Sequence, residues 1–222
     1  MIVGEQKPVM EILQMVSPNK KLLILGCGTC VKTCFAGGED EVTTLASVLR
    51  LALKTKGIFV QIEELTVERQ CEDAFIAEAA NAVSRNEEVL SLACGAGVQA
   101  VARRFPRSLV LPGVNTTFLG VLERRGLFTE ECSGCGDCQL AVFGGVCPFT
   151  RCAKKLLNGP CGGSRNGKCE VNADTDCAWH LIIERLSAQG RLNQLRAYVP
   201  PKQWQTSLSG GPRKLIREDH VI

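Results

Sequence analysis

Thirteen cysteines dominate the chemistry open to this 222-residue chain. Eight of them, Cys132, Cys135, Cys138, Cys147, Cys152, Cys161, Cys169 and Cys177, fall in one stretch, CSGCGDCQLAVFGGVCPFTRCAKKLLNGPCGGSRNGKCEVNADTDC. Gly or Pro recurs beside them, so the backbone can wrap closely around something small, and little regular helix or strand is expected there. The other five lie upstream. Cys27, Cys30 and Cys34 form a C-x2-C-x3-C run, while Cys71 and Cys94 stand apart from it and from each other.

Disulfides, zinc and iron–sulfur clusters all use thiols in such numbers. Disulfides need an oxidising compartment. The N-terminus MIVGEQKPVM lacks the basic and then apolar pattern of a secretion signal, and an odd count leaves one thiol over. Zinc held by four thiolates can fold an otherwise marginal segment. Zinc ribbons, however, pair two separated C-x2-C knuckles, whereas Cys132, Cys135 and Cys138 make C-x2-C-x2-C on a single loop. With Cys147-Pro148 downstream, this triplet echoes the bacterial ferredoxin run, where three thiolates hold three corners of a cubane and a distant one supplies the fourth. The interval before the Cys-Pro pair is eight residues here, longer than in that run. Iron–sulfur is therefore favoured for the triplet, and zinc stays open for the rest. Thirteen is also twelve plus one, which suits three four-thiolate sites and a spare. Loop closure suggests that the triplet takes Cys169 or Cys177 as its fourth ligand, and that the cysteines from Cys147 through Cys161 build a second site.

Composition narrows the function classes. Hydrophobic residues make up 45% of the chain, enough for a globular core and a smaller module. A net charge of +3, with eight Phe, two Trp and one Tyr, does not suit a dedicated nucleic-acid surface. Arg103, Arg104, Arg107, Arg124 and Arg125 read as solvated charge. No apolar run approaches the ~20 residues of a membrane span. A soluble, cytoplasmic protein is expected. Two histidines, no nucleophile with a paired base and no motif-placed carboxylates leave the chemistry to inorganic groups. His180 reads as structural or exposed.

The elements that must position the thiols follow from periodicity. Lys7 to Val16 has helical spacing and stops at Ser17-Pro18-Asn19. Leu22 to Leu25 is a short, wholly apolar run of the kind buried in a parallel sheet. It leads into Gly26-Cys27-Gly28, where the third glycine of a dinucleotide-binding turn would fall at Val31 and is absent, so metal is favoured over nucleotide. Glu39 to Lys56 predicts an amphipathic helix, Ile58 to Ile62 a second strand, and Ala74 to Val83 a further helix. Glu88 to Ala93 predicts a third strand, Gly95 to about Arg104 a helix, and Ser108 to Leu111 a fourth strand. Asn115 to Thr129 reads as a linker with a helical turn or two, Phe118, Leu119 and Leu122 facing inward. Ala178 to Leu186 resumes helical spacing, and Gly, Pro and charge dominate from Val199 onward, as in an extended tail that could lie on a partner.

This alternation predicts an α/β fold: a doubly wound parallel sheet of about four strands (residues 1–125), a small cysteine-rich, loop-dominated metal-binding module (126–190) and an extended tail (191–222). Cys27, Cys71 and Cys94 then follow three successive strands, whose carboxyl ends share one edge of such a sheet. The expected upstream ligands are Cys27, Cys30, Cys71 and Cys94, with Cys34 as substitute or spare. A helix N-terminus at Gly95 would aim amide donors at the site.

The segments CSGCGDC, GGVCPFTRCAKKLLNGPCGGS, GKCEV and DCAWHLI, between Glu131 and Trp179, resemble the C-terminal cysteine-rich domain associated with methylenetetrahydrofolate reductase. In anaerobic bacteria that domain occurs as the separate small iron–sulfur subunit of a two-subunit enzyme. LGCGTC, Glu68-Arg69-Gln70-Cys71, LACGAGVQ and PGVNTTFLG extend the resemblance upstream, to roughly three quarters of the chain. It implies two to three [4Fe-4S] clusters on the thirteen cysteines, zinc in one site, and electron passage to or from the flavin of a barrel-shaped catalytic subunit that reduces methylenetetrahydrofolate to methyltetrahydrofolate. A further electron-donor complex is a second expected partner. A zinc-stabilised docking scaffold, and an accessory subunit of a corrinoid or heterodisulfide-type redox complex, are the alternatives.

Overall fold

The structure, a computed structural model, describes residues 1–220. The chain divides into two compact units, one of residues 1–118 and 122–128, the other of residues 119–121 and the chain from 129 onward.

The first unit begins with strand β1 (Ile2–Gln6) and helix α1 (Val9–Met15). Strands β2 (Lys21–Cys27), β3 (Gln61–Val67), β4 (Glu88–Leu92) and β5 (Leu109–Pro112) then form a parallel sheet in the order β3-β2-β4-β5. The helices between them are α2 (Cys30–Thr33), α3 (Glu39–Thr55), α4 (Asp73–Glu78), α5 (Ala80–Arg85) and α6 (Gly95–Arg104). Successive strand side chains point to opposite faces. Leu22 and Ile24 accordingly join Ile12, Leu45 and Leu49 in one cluster, while Leu23 and Leu25 join Ile76, Val83 and Val101 in another. All four central leucine and isoleucine side chains of β2 are fully buried. The apolar run is thus the strand covered on both faces, and the doubly wound expectation describes the sheet.

The second strand starts at Gln61, three residues later than the hydrophobic run suggests. Helix α3 ends in a Schellman motif, with Gly57 N–H donating to Lys54 O and Ile58 N–H to Leu53 O, both at 3.0 Å, and Gly57 at φ +69°. Ile58 is therefore spent on closing the helix, and Ile58 and Val60 pack on the α1/α3 side without pairing. Two further corrections concern strands. Strand β1 carries too short an apolar signal to be read. Residues 115–129, expected as a linker with helical turns, instead form most of a hairpin: β6 (Val114–Arg124) and β7 (Leu127–Cys132), joined through Arg125-Gly126 with Gly126 at φ +81°. Phe118, Leu119 and Leu122 have helical spacing, but Thr116, Thr117 and Val121 are β-branched and favour a pleated strand. Phe118 and Leu119 are half-buried and Leu122 is exposed rather than inward. With β1, the hairpin makes a three-stranded sheet in the order β1-β6-β7.

The second unit is mostly loop, with α7 (Pro148–Arg151) and α8 (Ala178–Ala188). Its core gathers Phe143, Val146, Trp179, Ile182 and Leu186. Trp179 meets Phe143 edge to face at 6.0 Å, and its Nε1–H donates to Leu156 O at 3.0 Å. His180 is exposed, with Nε2 3.1 Å from Glu184 Oε1. From Leu192 the chain is extended between short 3-10 turns at Leu192–Arg196, Trp204–Thr206, Leu208–Gly210 and Glu218–His220. Parts of it pack within the same unit, Trp204 against Phe149 at 5.6 Å among them. No helix among the described residues is long and apolar enough to cross a membrane.

Ile24, 0% exposed at the centre of β2, fills the α1/α3 side of the sheet. Ile24→Ala should cost ~2–5 kcal/mol, cavity included, whereas Leu51→Ala, on the exposed face of α3, should stay within ~0.5 kcal/mol. Urea unfolding followed by far-ultraviolet circular dichroism checks both.

Candidate metal centres

The order of the parallel strands decides where the upstream thiols go. Strand β2 lies between β3 and β4, so the winding reverses at β2 and the carboxyl ends of three neighbouring strands adjoin, the usual place for a ligand in such sheets. Cys27 is the last residue of β2 and pairs with Val67 of β3. Gly28 N–H donates to Val67 O at 2.9 Å and to Glu68 O at 3.1 Å, and Cys27 Sγ approaches Glu68 O at 3.9 Å. Cys71 follows β3, Cys94 caps α6 after β4, and Cys30 opens α2. Burial pushes the Cys71 thiol above its ordinary value, and the neighbouring Cys27, Cys94 and Cys30 push it further. Cys71 therefore lies within electrostatic reach of the other three sulfurs. Cys34 points elsewhere: its Sγ lies 3.6 Å from Ile2 O, and its thiol is raised first by burial and then by Cys30 alone among the cysteines.

Sequence reasoning missed the residue that ties this edge together. Gln70 is fully buried, and its Nε2 donates to Leu25 O at 2.7 Å and Gly26 O at 3.0 Å, while its Oε1 accepts from Ser91 Oγ at 2.6 Å. One amide thus bridges β2 and β4 and sets the backbone immediately before Cys71. Gly97 makes room for it, since a Cβ there would stand 3.0 Å from Gln70 Cβ and 2.7 Å from Ala93 Cβ. The expected amide at the start of α6 is already committed: Gly95 N–H donates to Thr116 Oγ1 at 2.8 Å.

In the second unit, Cys132, Cys135, Cys138 and Cys147 line one cavity of ≈ 210 Å³, together with Leu140 and Phe149. The loop wraps this space because Gly134 and Gly136 take φ of +61° and +81°, where a side chain would be strained. Glu131 on its wall is paired with Arg151. A second, tight space of ≈ 20 Å³ is lined by Cys152, Cys161, Cys169 and Cys177 with Trp179. Lys154 and Glu170 pair across it, the lysine raised and the carboxyl lowered by their mutual hydrogen bond; Cys161 and Cys169 add to the first shift.

The spaces in this module group the thiols differently from the expected partition: Cys147, not Cys169 or Cys177, lines a cavity with the triplet, and Cys169 and Cys177 line another with Cys152 and Cys161. The reason is that α7 begins at Pro148, so Cys147 sits at the turn facing the triplet loop while Cys152, past the helix, faces the other way. All thirteen cysteines are free thiols. Among the described residues, no three His, Cys, Asp or Glu side chains converge tightly enough for a single ion as they stand. The donors fit soft-metal chemistry in kind, being sulfur throughout and grouped by fours.

Gln70→Leu removes the buried side-chain partner of Ser91 and of two carbonyls, which should cost ~1–3 kcal/mol for each group left unsatisfied. The test is a lowered urea midpoint for Gln70→Leu and a smaller loss for Ser91→Ala.

Neither a curated protein nor a solved structure matches the chain. A family model does. Residues 111–205, which include the eight clustered cysteines, match the family described as methylene-tetrahydrofolate reductase C terminal.

Proposed function

We propose that the chain is the iron–sulfur electron-transfer subunit of a methylenetetrahydrofolate reductase complex in the cytoplasm. The observation that carries this reading is that eight thiols line two spaces in fours, Cys132, Cys135, Cys138 and Cys147 in one and Cys152, Cys161, Cys169 and Cys177 in the other. Cys27, Cys30, Cys71 and Cys94 would hold one [4Fe-4S] cluster and Cys132, Cys135, Cys138 and Cys147 another. The third group, Cys152, Cys161, Cys169 and Cys177, surrounds a space of only ≈ 20 Å³, which favours a single zinc ion.

A bound cubane supplies one-electron transfer at a potential tuned by charge, hydrogen bonds to sulfur and burial, within roughly −700 to +450 mV. The chain's own part is to hold sulfur, exclude water and dock a partner. Reducing methylenetetrahydrofolate to methyltetrahydrofolate takes two electrons and two protons, and these meet on the partner's flavin and folate. The described residues form sheets of four and three strands, not the eight-stranded barrel that such a partner would provide. The family match at residues 111–205 supports a place in an assembly of this type.

Protein purified under strict oxygen exclusion should be brown and should bleach on reduction. Cys94→Ser and Cys147→Ser should each lose about four irons per chain, Cys34→Ser none, and Cys169→Ser zinc alone. A colourless, iron-free preparation that retains zinc would overturn the proposal in favour of a docking scaffold. Co-purification with a flavoprotein supports the reductase assembly; a corrinoid protein in its place points to a methyl-transfer complex.

A further inference from the structure

A lysine is among the side chains least often fully buried, yet the Lys202 side chain is 0% exposed. It comes from the segment after Pro200-Pro201. Its Nζ donates to Asp137 O at 2.7 Å and lies 3.2 Å from Asp137 Oδ2, with the Phe149 ring 5.2 Å away. Asp137 stands between Cys135 and Cys138, and its carbonyl also accepts from Cys135 Sγ at 3.7 Å. Ammonium and sulfur therefore share one acceptor atom. Phe149 and Asp137 both line the cavity of Cys132, Cys135, Cys138 and Cys147.

The surrounding contacts keep the lysine there. Trp204 packs edge to face on Phe149, and Thr206 Oγ1–H donates to Cys135 O at 2.9 Å. Gly136 allows the approach, since a Cβ at that position would collide with Thr206 O. Arg213 holds Thr206 O in turn at 2.7 Å. The strap thus touches the ligand loop at three successive residues, Cys135, Gly136 and Asp137.

Burying an ammonium is costly unless its charge is answered. Asp137 answers it, but only from the half-exposed side. The other carboxylate on the cavity wall, Glu131, already has Arg151. Lys202 thus answers the second carboxylate on the wall of the four-cysteine cavity, and it does so from the buried side, where a charge is felt most strongly.

We propose that Lys202 is a positioning residue that sets the reduction potential of the group held by Cys132, Cys135, Cys138 and Cys147. It fixes the Asp137 carbonyl next to Cys135 and cancels the Asp137 charge. This rests on the cluster assignment above. Without the ammonium, the Asp137 carboxylate faces the sulfur cage uncompensated, so adding an electron becomes harder and the potential falls.

The test is a redox titration of the full chain, followed by electron paramagnetic resonance, on the signal that disappears in Cys138→Ala. Lys202→Met should keep its iron and shift the reduced-to-oxidised ratio at fixed potential at least tenfold toward oxidised, 59 mV for one electron. Lys202→Arg should titrate like the parent. Asp137→Asn should shift the ratio the opposite way, and the Lys202→Met, Asp137→Asn pair should return near the parent, which a purely structural role would not produce. Should Lys202→Met fail to retain iron, Lys202→Gln, which keeps a donor for the Asp137 carbonyl, carries the same comparison. An unchanged potential in the charge-removing variant, or a pair that does not return, overturns the inference while leaving the cluster assignment intact. Absence of iron from the parent protein overturns the assignment first.

Discussion

The placing of the upstream cysteines depends on three parallel strands ending side by side. Because β2 is flanked by β3 on one side and β4 on the other, Cys27, Cys71 and Cys94 leave the sheet at one edge without any local sequence relation between them. That edge holds its shape through Gln70, whose single side chain satisfies the ends of two strands at once. A buried amide with every polar atom engaged is worth keeping; one left half-satisfied would destabilise the place where the thiols must meet.

The second unit solves the same problem without a sheet. Its core is small, built around Phe143 and the buried face of α8, and most of its chain has neither helix nor strand to satisfy it. Left-handed glycines let the loops curl, and the cysteines face into the spaces so formed. A loop of this kind has little regular structure to hold it, so any metal bound by its thiols would be coupled to its fold. The segment after Pro201 adds a non-metal restraint, closing on the triplet loop through Lys202, Trp204 and Thr206.

Charge connects the two units' chemistry. In the upstream group each sulfur raises the cost of ionising Cys71, a conflict that an electropositive centre would relieve. In the module, cations stand beside the sulfurs: Lys154 near Cys161 and Cys169, and Lys202 one carbonyl away from Cys135.

The order of elements from Leu22 to Leu111, and with it the placing of Cys27, Cys71 and Cys94 after strands, was legible in the residues because hydrophobic period and strand-ending glycines are local signals. The hairpin of β6 and β7 was not, since Phe118, Leu119 and Leu122 suit a helix as well as a strand until a neighbouring strand chooses between them. Gln70 gave no signal either, as its carbonyl partners lie 45 and 44 positions away. Spacing also could not say that Cys147 lines a cavity with the triplet and Cys152 does not; the short turn at Pro148 separates the two. Residue types by themselves determined that this is a cysteine-rich α/β protein. Which four sulfurs share a space was decided only by tertiary structure, because ligand grouping depends on distances that chain separation does not encode.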